Sequence, residues 1–208
     1  MTQIKAVVFD IGRVLIEWNP ERFYDRRFGV ERRRALFDTV DLHAMNERID
    51  LGNPFRKTVY ACADEYPEFG AEIRLWYDNW IDMTGPEISG SVRLLRAIRA
   101  KGTPVFALSN FGIGTFEIAI KAYPFLTEFD QKYVSGFLQN TKPRDRIYEL
   151  LEKGSGLSPA SLLFTDDLSE NVATAAKRGW HAHLFEGPVG WAETLVHHSI
   201  LTPKEASL

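Results

Sequence analysis

Cysteine is nearly absent. Cys62 stands alone in 208 residues, which excludes an internal disulfide framework and a thiolate metal cluster. Its place in a stretch of helical pattern predicts a buried, inert thiol. No apolar run approaches the roughly 20 residues of a membrane span. The opening MTQIKAVVFD passes straight into a strand pattern, without the charged, apolar and cleavage regions of a signal peptide. A soluble protein of a reducing compartment, the cytoplasm, is expected. Charge of one sign does not dominate either: 25 basic and 28 acidic residues give a formal net charge of −3. That balance offers no field to attract nucleic acid or a membrane surface, so neither is expected as a partner. Internal repeats and low-complexity tracts are missing as well. What is present is 45% hydrophobic and 12% aromatic residues, enough to bury a core.

Short apolar runs predict strands at Ala6–Phe9, Pro104–Leu108, Ser161–Phe164, around Tyr133-Val134 and at His181–Phe185. They are continuous rather than alternating, as in strands covered on both faces. Between them lie segments of helical spacing, marked by Val92, Leu95 and Ile98, by Ile147, Leu150 and Leu151, and by Val172, Ala175 and Ala176. The fold class expected is α/β, a Rossmann-like parallel sheet core with helices on both faces. The rhythm breaks early, since no strand is expected between Leu15-Ile16 and Val105. Residues 19–87 are predicted to be a helical insertion, leaving 1–18 and 88–208 as the core.

Three predicted strands end in polar residues: Phe9-Asp10, Leu108-Ser109-Asn110 and Phe164-Thr165-Asp166-Asp167. In an open parallel sheet the carboxyl ends of the strands share one edge, where ligands bind. A carboxylate, a hydroxyl and a carboxylate pair are therefore expected to converge. Asp10 can act as a nucleophile. Three carboxylates in one cleft repel unless a cation joins them, and Mg²⁺ suits hard oxygen ligands with a phosphate completing its shell. Lys142 can bring positive charge to a transferring group, and Ser109 can hold phosphate oxygens. Taken singly, each has a plainer reading: a strand-end Asp commonly caps a helix, Ser109-Asn110 makes a turn, and Asp166-Asp167 caps a helix starting near Ser169.

The ordered segments FDIGRVLIEWNP, LSN, the Lys-Pro of TKPRDRIYELL and FTDDLSENVATAAKRGW resemble the four motifs of the haloacid dehalogenase superfamily. The likeness spans the whole chain and is closest to the small-cap bacterial sugar phosphatases, such as alpha-glucose-1-phosphate phosphatase. The resemblance implies a Mg²⁺-dependent phosphatase with a helical cap inserted after the first strand, acting on a small phosphorylated metabolite. It implies Asp10 as the nucleophile that becomes an aspartyl-phosphate. Ser109 and Asn110 fall at the phosphoryl group, with Lys142 neutralising its oxygens. Metal ligands would be Asp10, the Gly12 carbonyl, Asp167 directly and Asp166 through water.

One position departs from the family's pattern. Gly12 stands where typical phosphatases of this superfamily carry a second Asp as acid and base, and a glycine cannot protonate a leaving alkoxide. Asp41, His43 and Asp50, in the predicted insertion, are candidates for a replacement donor. Arg13 is expected in a surface ion pair, with an anionic substrate as the second reading. His181 and His183 are expected on a sheet face rather than at a metal. Arginines 22, 26, 27, 32, 33 and 34 are expected on a solvated helical face, and Trp76 and Trp80 to pack within the insertion. Two other functions compete. One is a metal-independent 2-haloacid dehalogenase using Asp10, against which the acid pair argues. The other is a weakly active binding or regulatory protein, for which Gly12 is the support. Oligomeric state is left open.

Overall fold

The computed structural model describes residues 3–208. Its centre is a five-stranded parallel sheet made of β1 (Ala6–Phe9), β4 (Val105–Ser109), β5 (Gln131–Val134), β6 (Leu162–Asp166) and β7 (His181–Leu184). The spatial order is β5-β4-β1-β6-β7, with every pairing parallel. All residues of β1, β4 and β6 are buried, which is why these strands read as continuous apolar runs. Successive side chains alternate between two cores. Val7 and Phe9 join the larger one, with Val92 and Leu95 of α6 (Ser89–Ala100) and Trp191 of α11 (Pro188–His197). Ala6 and Val8 join the smaller one, with Ile147, Tyr148 and Leu151 of α9 (Asp145–Ser155) and Ala175 of α10 (Ser169–Lys177). A helix layer on each face is the expected α/β arrangement.

Predicted and observed strands differ mainly at their ends. Ser109 and Asp166, expected just beyond the strands, are their last residues. A larger difference lies at Thr84–Glu87, where no strand was expected. This β3 pairs antiparallel with β2 (Ile16–Trp18), setting Ile16 against Glu87 and Trp18 against Thr84. The sequence TGPE carries Gly and Pro and so signals a turn. A two-stranded ribbon tolerates them, because Pro needs only an outward-facing position without a ladder donor. The chain leaves and re-enters the core through this ribbon, tightened by Asn19 N–H to Met83 O at 2.9 Å and Ile88 N–H to Leu15 O at 2.8 Å.

Between β2 and β3 run five helices: α1 (Pro20–Phe28), α2 (Val30–Thr39), α3 (Leu42–Asp50), α4 (Phe55–Glu65) and α5 (Gly70–Asp78). Asn19 caps α1 by accepting from Arg22 N–H at 2.8 Å, and Pro20 sits at the first helical position, where its missing N–H costs nothing. Trp76 is fully buried against Tyr24 and Trp18, and its indole N–H donates to Asn46 at 3.2 Å. Cys62 is buried, as expected. Arg22, Arg32, Arg33 and Arg34 pair with Glu17, Glu72, Asp25 and Glu31. A partnered helical surface is what that arginine-rich stretch builds.

The C-terminal end of α3 docks on the core. Ser135 Oγ, at the start of α8 (Ser135–Leu138), donates to the Asp50 carbonyl at 2.6 Å and accepts from Phe111 N–H at 2.8 Å. Gly112 is needed for this contact. A Cβ there would stand 2.5 Å from Ile49 Cγ2 and 3.0 Å from the Ile49 carbonyl, so any side chain would push α3 away. Among the described residues no helix is long and apolar enough to cross a membrane.

Candidate active site

The sheet register brings the three polar strand ends together. Phe9 lies beside Ala107 and Thr165, and Asp10 N–H donates to the Thr165 carbonyl at 3.0 Å. Asp10, Ser109 and Asp166 therefore emerge at one edge, as the parallel sheet requires. A cleft of about 280 Å³ opens there, lined by Asp10, Gly12, Arg13, Ser109, Asn110, Lys142 and Asp167, with α3 and the β2–β3 ribbon forming its other walls.

Asp10 is held by three partners. Its Oδ1 accepts from its neighbour's amide, Ile11 N–H, at 2.7 Å and from Ser109 Oγ at 2.7 Å, and lies 2.9 Å from Lys142 Nζ. These contacts all fall on one oxygen, which fixes the carboxylate's orientation and leaves Oδ2 for another partner. Lys142 is buried and bridges two acids, its Nζ also donating to Asp166 Oδ2 at 2.6 Å. Asp166 Oδ1 accepts from Leu168 N–H at 2.8 Å and Asn171 Nδ2 at 2.9 Å. Both oxygens of Asp166 are thus engaged by protein, whereas Asp167 is partly open to the cleft and meets Arg13 at 3.8 Å.

Burial pushes the Asp10 carboxyl up to about 6, with Lys142 pulling it down and Asp166 pushing it up. Lys142 feels burial in the opposite sense, but its two carboxylate neighbours more than offset that and hold the ammonium charged. Asp167 is raised by burial and by Asp166, and Arg13 and Lys142 moderate the shift. The Lys142 ammonium and the more distant Arg13 guanidinium together face three carboxylates, which leaves negative charge uncompensated. Ligand oxygens of Asp10, Asp166 and Asp167 lie within 4.8 Å of one another. A hard divalent cation fits that donor set, and the half-buried Gly12 lines the same cleft.

Asn110, expected at the phosphoryl group, lines the cleft and has a further task. Its Oδ1 accepts from Lys142 N–H at 2.8 Å and its Nδ2 donates to the Lys142 carbonyl at 2.9 Å. The side chain is a clasp on the lysine's main chain and positions Lys142. Arg13 adopts φ +56, in the left-handed region, and donates through Nε to the Trp18 carbonyl at 3.4 Å. Its ion pair is therefore with an acid of the cleft, not with a remote surface group. Trp80, expected only to pack, also forms part of the cleft wall.

Two participants had no separate sequence signal. Asn171 is buried and steadies Asp166, and only its place five residues on, on the inward face of α10, could have pointed to it. Ser135 anchors the end of α3 across 85 positions of sequence, which no local pattern reveals. His183, by contrast, bonds Thr194 Oγ1 at 2.9 Å and packs on Trp191, the sheet-face role expected of it.

No family model matches the chain. Among curated proteins it is 25% identical over 185 residues to a sesquiterpene phosphatase of Aspergillus oryzae, covering 86% of this chain and 88% of that one. It is 23% identical over 206 residues to a D-ribitol-5-phosphate phosphatase of Bacteroides thetaiotaomicron, covering 92% and 97%. A solved haloacid-dehalogenase-family enzyme of Bacteroides thetaiotaomicron superposes with a TM-score of 0.75 at 19% identity, over 93% of this chain and 99% of that one. A structure of that enzyme with magnesium and inorganic phosphate gives 0.68 at 18% identity, over 88% and 95%. An L-2-haloacid dehalogenase of Xanthobacter autotrophicus with chloropropionic acid covalently bound shares the fold at 0.61 and 18% identity, over 98% and 86%. In fold and in these relatives, the chain is similar to hydrolases of the haloacid dehalogenase superfamily.

Proposed function

We propose that this chain is a Mg²⁺-dependent phosphatase that hydrolyses a small phosphate monoester through an aspartyl-phosphate on Asp10. The observation that carries the reading is the buried Lys142 ammonium, held between Asp10 and Asp166 with Asp167 alongside. In this reading Asp10 attacks phosphorus, with its carboxylate already oriented by Ser109 and the Ile11 amide. Ser109 and Lys142 hold phosphoryl oxygens and the charge that develops on them. Asp10, the Gly12 carbonyl and Asp167 hold the cation directly, while Asp166, its oxygens already committed, acts through water. Bound Mg²⁺ supplies positive charge to a site that the carboxylates otherwise make repulsive to a phosphate dianion. Residues 19–87 serve as the cap, and a cytoplasmic setting remains the reading from the scarcity of cysteine.

The organic part of the substrate meets two unlike kinds of side chain. Glu17, His43 and Asn46 line the cleft together with Ile16, Trp18, Trp80, Phe111 and Tyr123. The polar side chains support the sugar-phosphate expectation. The apolar and aromatic ones, together with the Aspergillus relative, favour a second reading, a terpenoid or other apolar alkyl phosphate. Ranking kcat/KM over sugar phosphates and prenyl phosphates decides between them.

Turnover of a general phosphate ester is expected to require Mg²⁺ and to vanish in EDTA, returning when Mg²⁺ is restored in excess. Undiminished turnover in EDTA, or halide release from 2-chloropropionate without metal, would overturn the phosphatase reading in favour of the dehalogenase one.

A further inference from the structure

Gly12 deprives this site of a proton donor on the strand that carries Asp10, yet expulsion of an alkoxide needs one. We propose that Asp50, at the C-terminal end of α3, supplies that proton from the opposite wall of the cleft. The inference rests on the phosphatase reading above and adds to it the residue that acts on the leaving group.

Of the three acidic or basic groups that the sequence offered, the structure separates Asp50 from the others. Asp41 is exposed and occupied as the cap of α3, accepting from Ala44 N–H at 2.8 Å. His43 lines the cleft, but it pairs with Glu21 at 3.3 Å and more than half of its side chain is in solvent. Asp50 lines the same cleft as Asp10. Its main chain is pinned to the core by Ser135 and its Oδ2 accepts from Asn46 Nδ2 at 2.9 Å. A donor on an inserted helix is useful only if its position is fixed relative to the nucleophile, and these contacts fix it.

The charges around Asp50 suit a group that must hold a proton and then release it. Burial disfavours its carboxylate most, and Glu47 on its own helix and Asp10 across the cleft add repulsion. Its position at the end of α3 opposes negative charge as well. Against these, the Gly112 backbone amide, just before α7 (Ile113–Ala122), favours the carboxylate. The balance places the group at about 7, where a carboxyl is both present as acid and able to ionise.

The steps balance as follows. An Asp10 carboxylate oxygen forms a bond to phosphorus, and the bond from phosphorus to the ester oxygen breaks with its electron pair passing to that oxygen. The ester oxygen takes the Asp50 proton and leaves as an alcohol. Water then attacks phosphorus and gives a proton to the Asp50 carboxylate. The bond between phosphorus and Asp10 breaks with its electrons returning to Asp10, releasing inorganic phosphate and restoring both side chains.

The test is the first-turnover release of the leaving group from p-nitrophenyl phosphate and from glycerol phosphate, in Mg²⁺, by wild type, Asp50→Asn and the double variant Asp50→Asn with Gly12→Asp. First-turnover release isolates the step in which the leaving group departs from later hydrolysis. Position 12 can accept Asp, because a Cβ there meets no atom within 4 Å. Asp50→Asn is expected to slow release from glycerol phosphate by about 10²–10⁴-fold, and release from the aryl ester, a good leaving group, by less than about tenfold. The double variant is expected to recover part of the loss on glycerol phosphate. Equal losses on both esters, or no loss on either, with an unchanged melting temperature, would overturn the assignment of Asp50 while leaving the phosphatase reading intact. Failure of the wild type to release either leaving group would overturn both.

Discussion

Asp10→Asn is expected to abolish turnover, with activity at least about 10⁴-fold below wild type, while the protein still folds. The amide preserves the shape and the hydrogen-bond acceptor facing Ser109 and Ile11, but it is not a nucleophile. Stability should move in the opposite sense to activity at neutral pH. The folded-state pKa of Asp10 is raised to about 6, above the unfolded value of about 3.9. The native state therefore binds the proton more tightly than the unfolded chain, and stability falls as pH rises through the window from about 4 to about 6. At pH 7 to 8 without metal, ionised Asp10 costs about 3 kcal/mol, which Asn removes. Melting in EDTA at pH 5 and pH 8 checks this. The variant should match or exceed wild type at pH 8 and lose about half of that advantage at pH 5. Turnover within a few-fold of wild type would show that Asp10 is not the nucleophile.

Lys142→Met should damage both activity and fold. Among the described residues Lys142 Nζ is the one ammonium in contact with Asp10 and Asp166, and all three side chains are buried. Removing one partner of a buried ionic group strands the others, typically at about 3–5 kcal/mol. Loss of a preorganised positive charge at the phosphoryl group should lower kcat by about 10²–10³-fold or more. In the wild type this lysine stays charged throughout pH 5 to 8, because the carboxylates raise its pKa above the usual value. The pH dependence of the deficit must therefore come from the acids, and it should deepen from pH 5 to pH 8 as Asp10 ionises without its partner. Denaturant titrations at the two pH values measure it. A deficit independent of pH would mean that the ammonium does not balance these carboxylates.

What the sequence made legible follows from locality. The strands β1, β4 and β6 are buried on both faces, so their composition alone marks them, and parallel order then brings Asp10, Ser109 and Asp166 to one edge without further information. β3 was hidden because its pairing partner, Ile16–Trp18, lies some seventy residues away and its own Gly-Pro signals a turn. The clasp of Asn110 was hidden for a related reason. A polar residue at a strand tip looks like a ligand contact, and only the packed structure shows its amide closed on the Lys142 main chain. Asp50 was visible as one of three titratable candidates. Its selection depends on Ser135, Gly112 and Asn46, which come from α8, the start of α7 and the interior of α3, and no spacing rule joins them.

The central claim is a covalent aspartyl-phosphate on Asp10, and acid-quench peptide mass spectrometry tests it most directly. Wild-type protein mixed with a phosphate ester and Mg²⁺, and quenched before one turnover is complete, should carry hydroxylamine-labile phosphate on the peptide containing Asp10. The Asp10→Asn protein should carry none. Phosphate bound at another residue, or rapid turnover with no protein-bound phosphate at any quench time, would contradict the account.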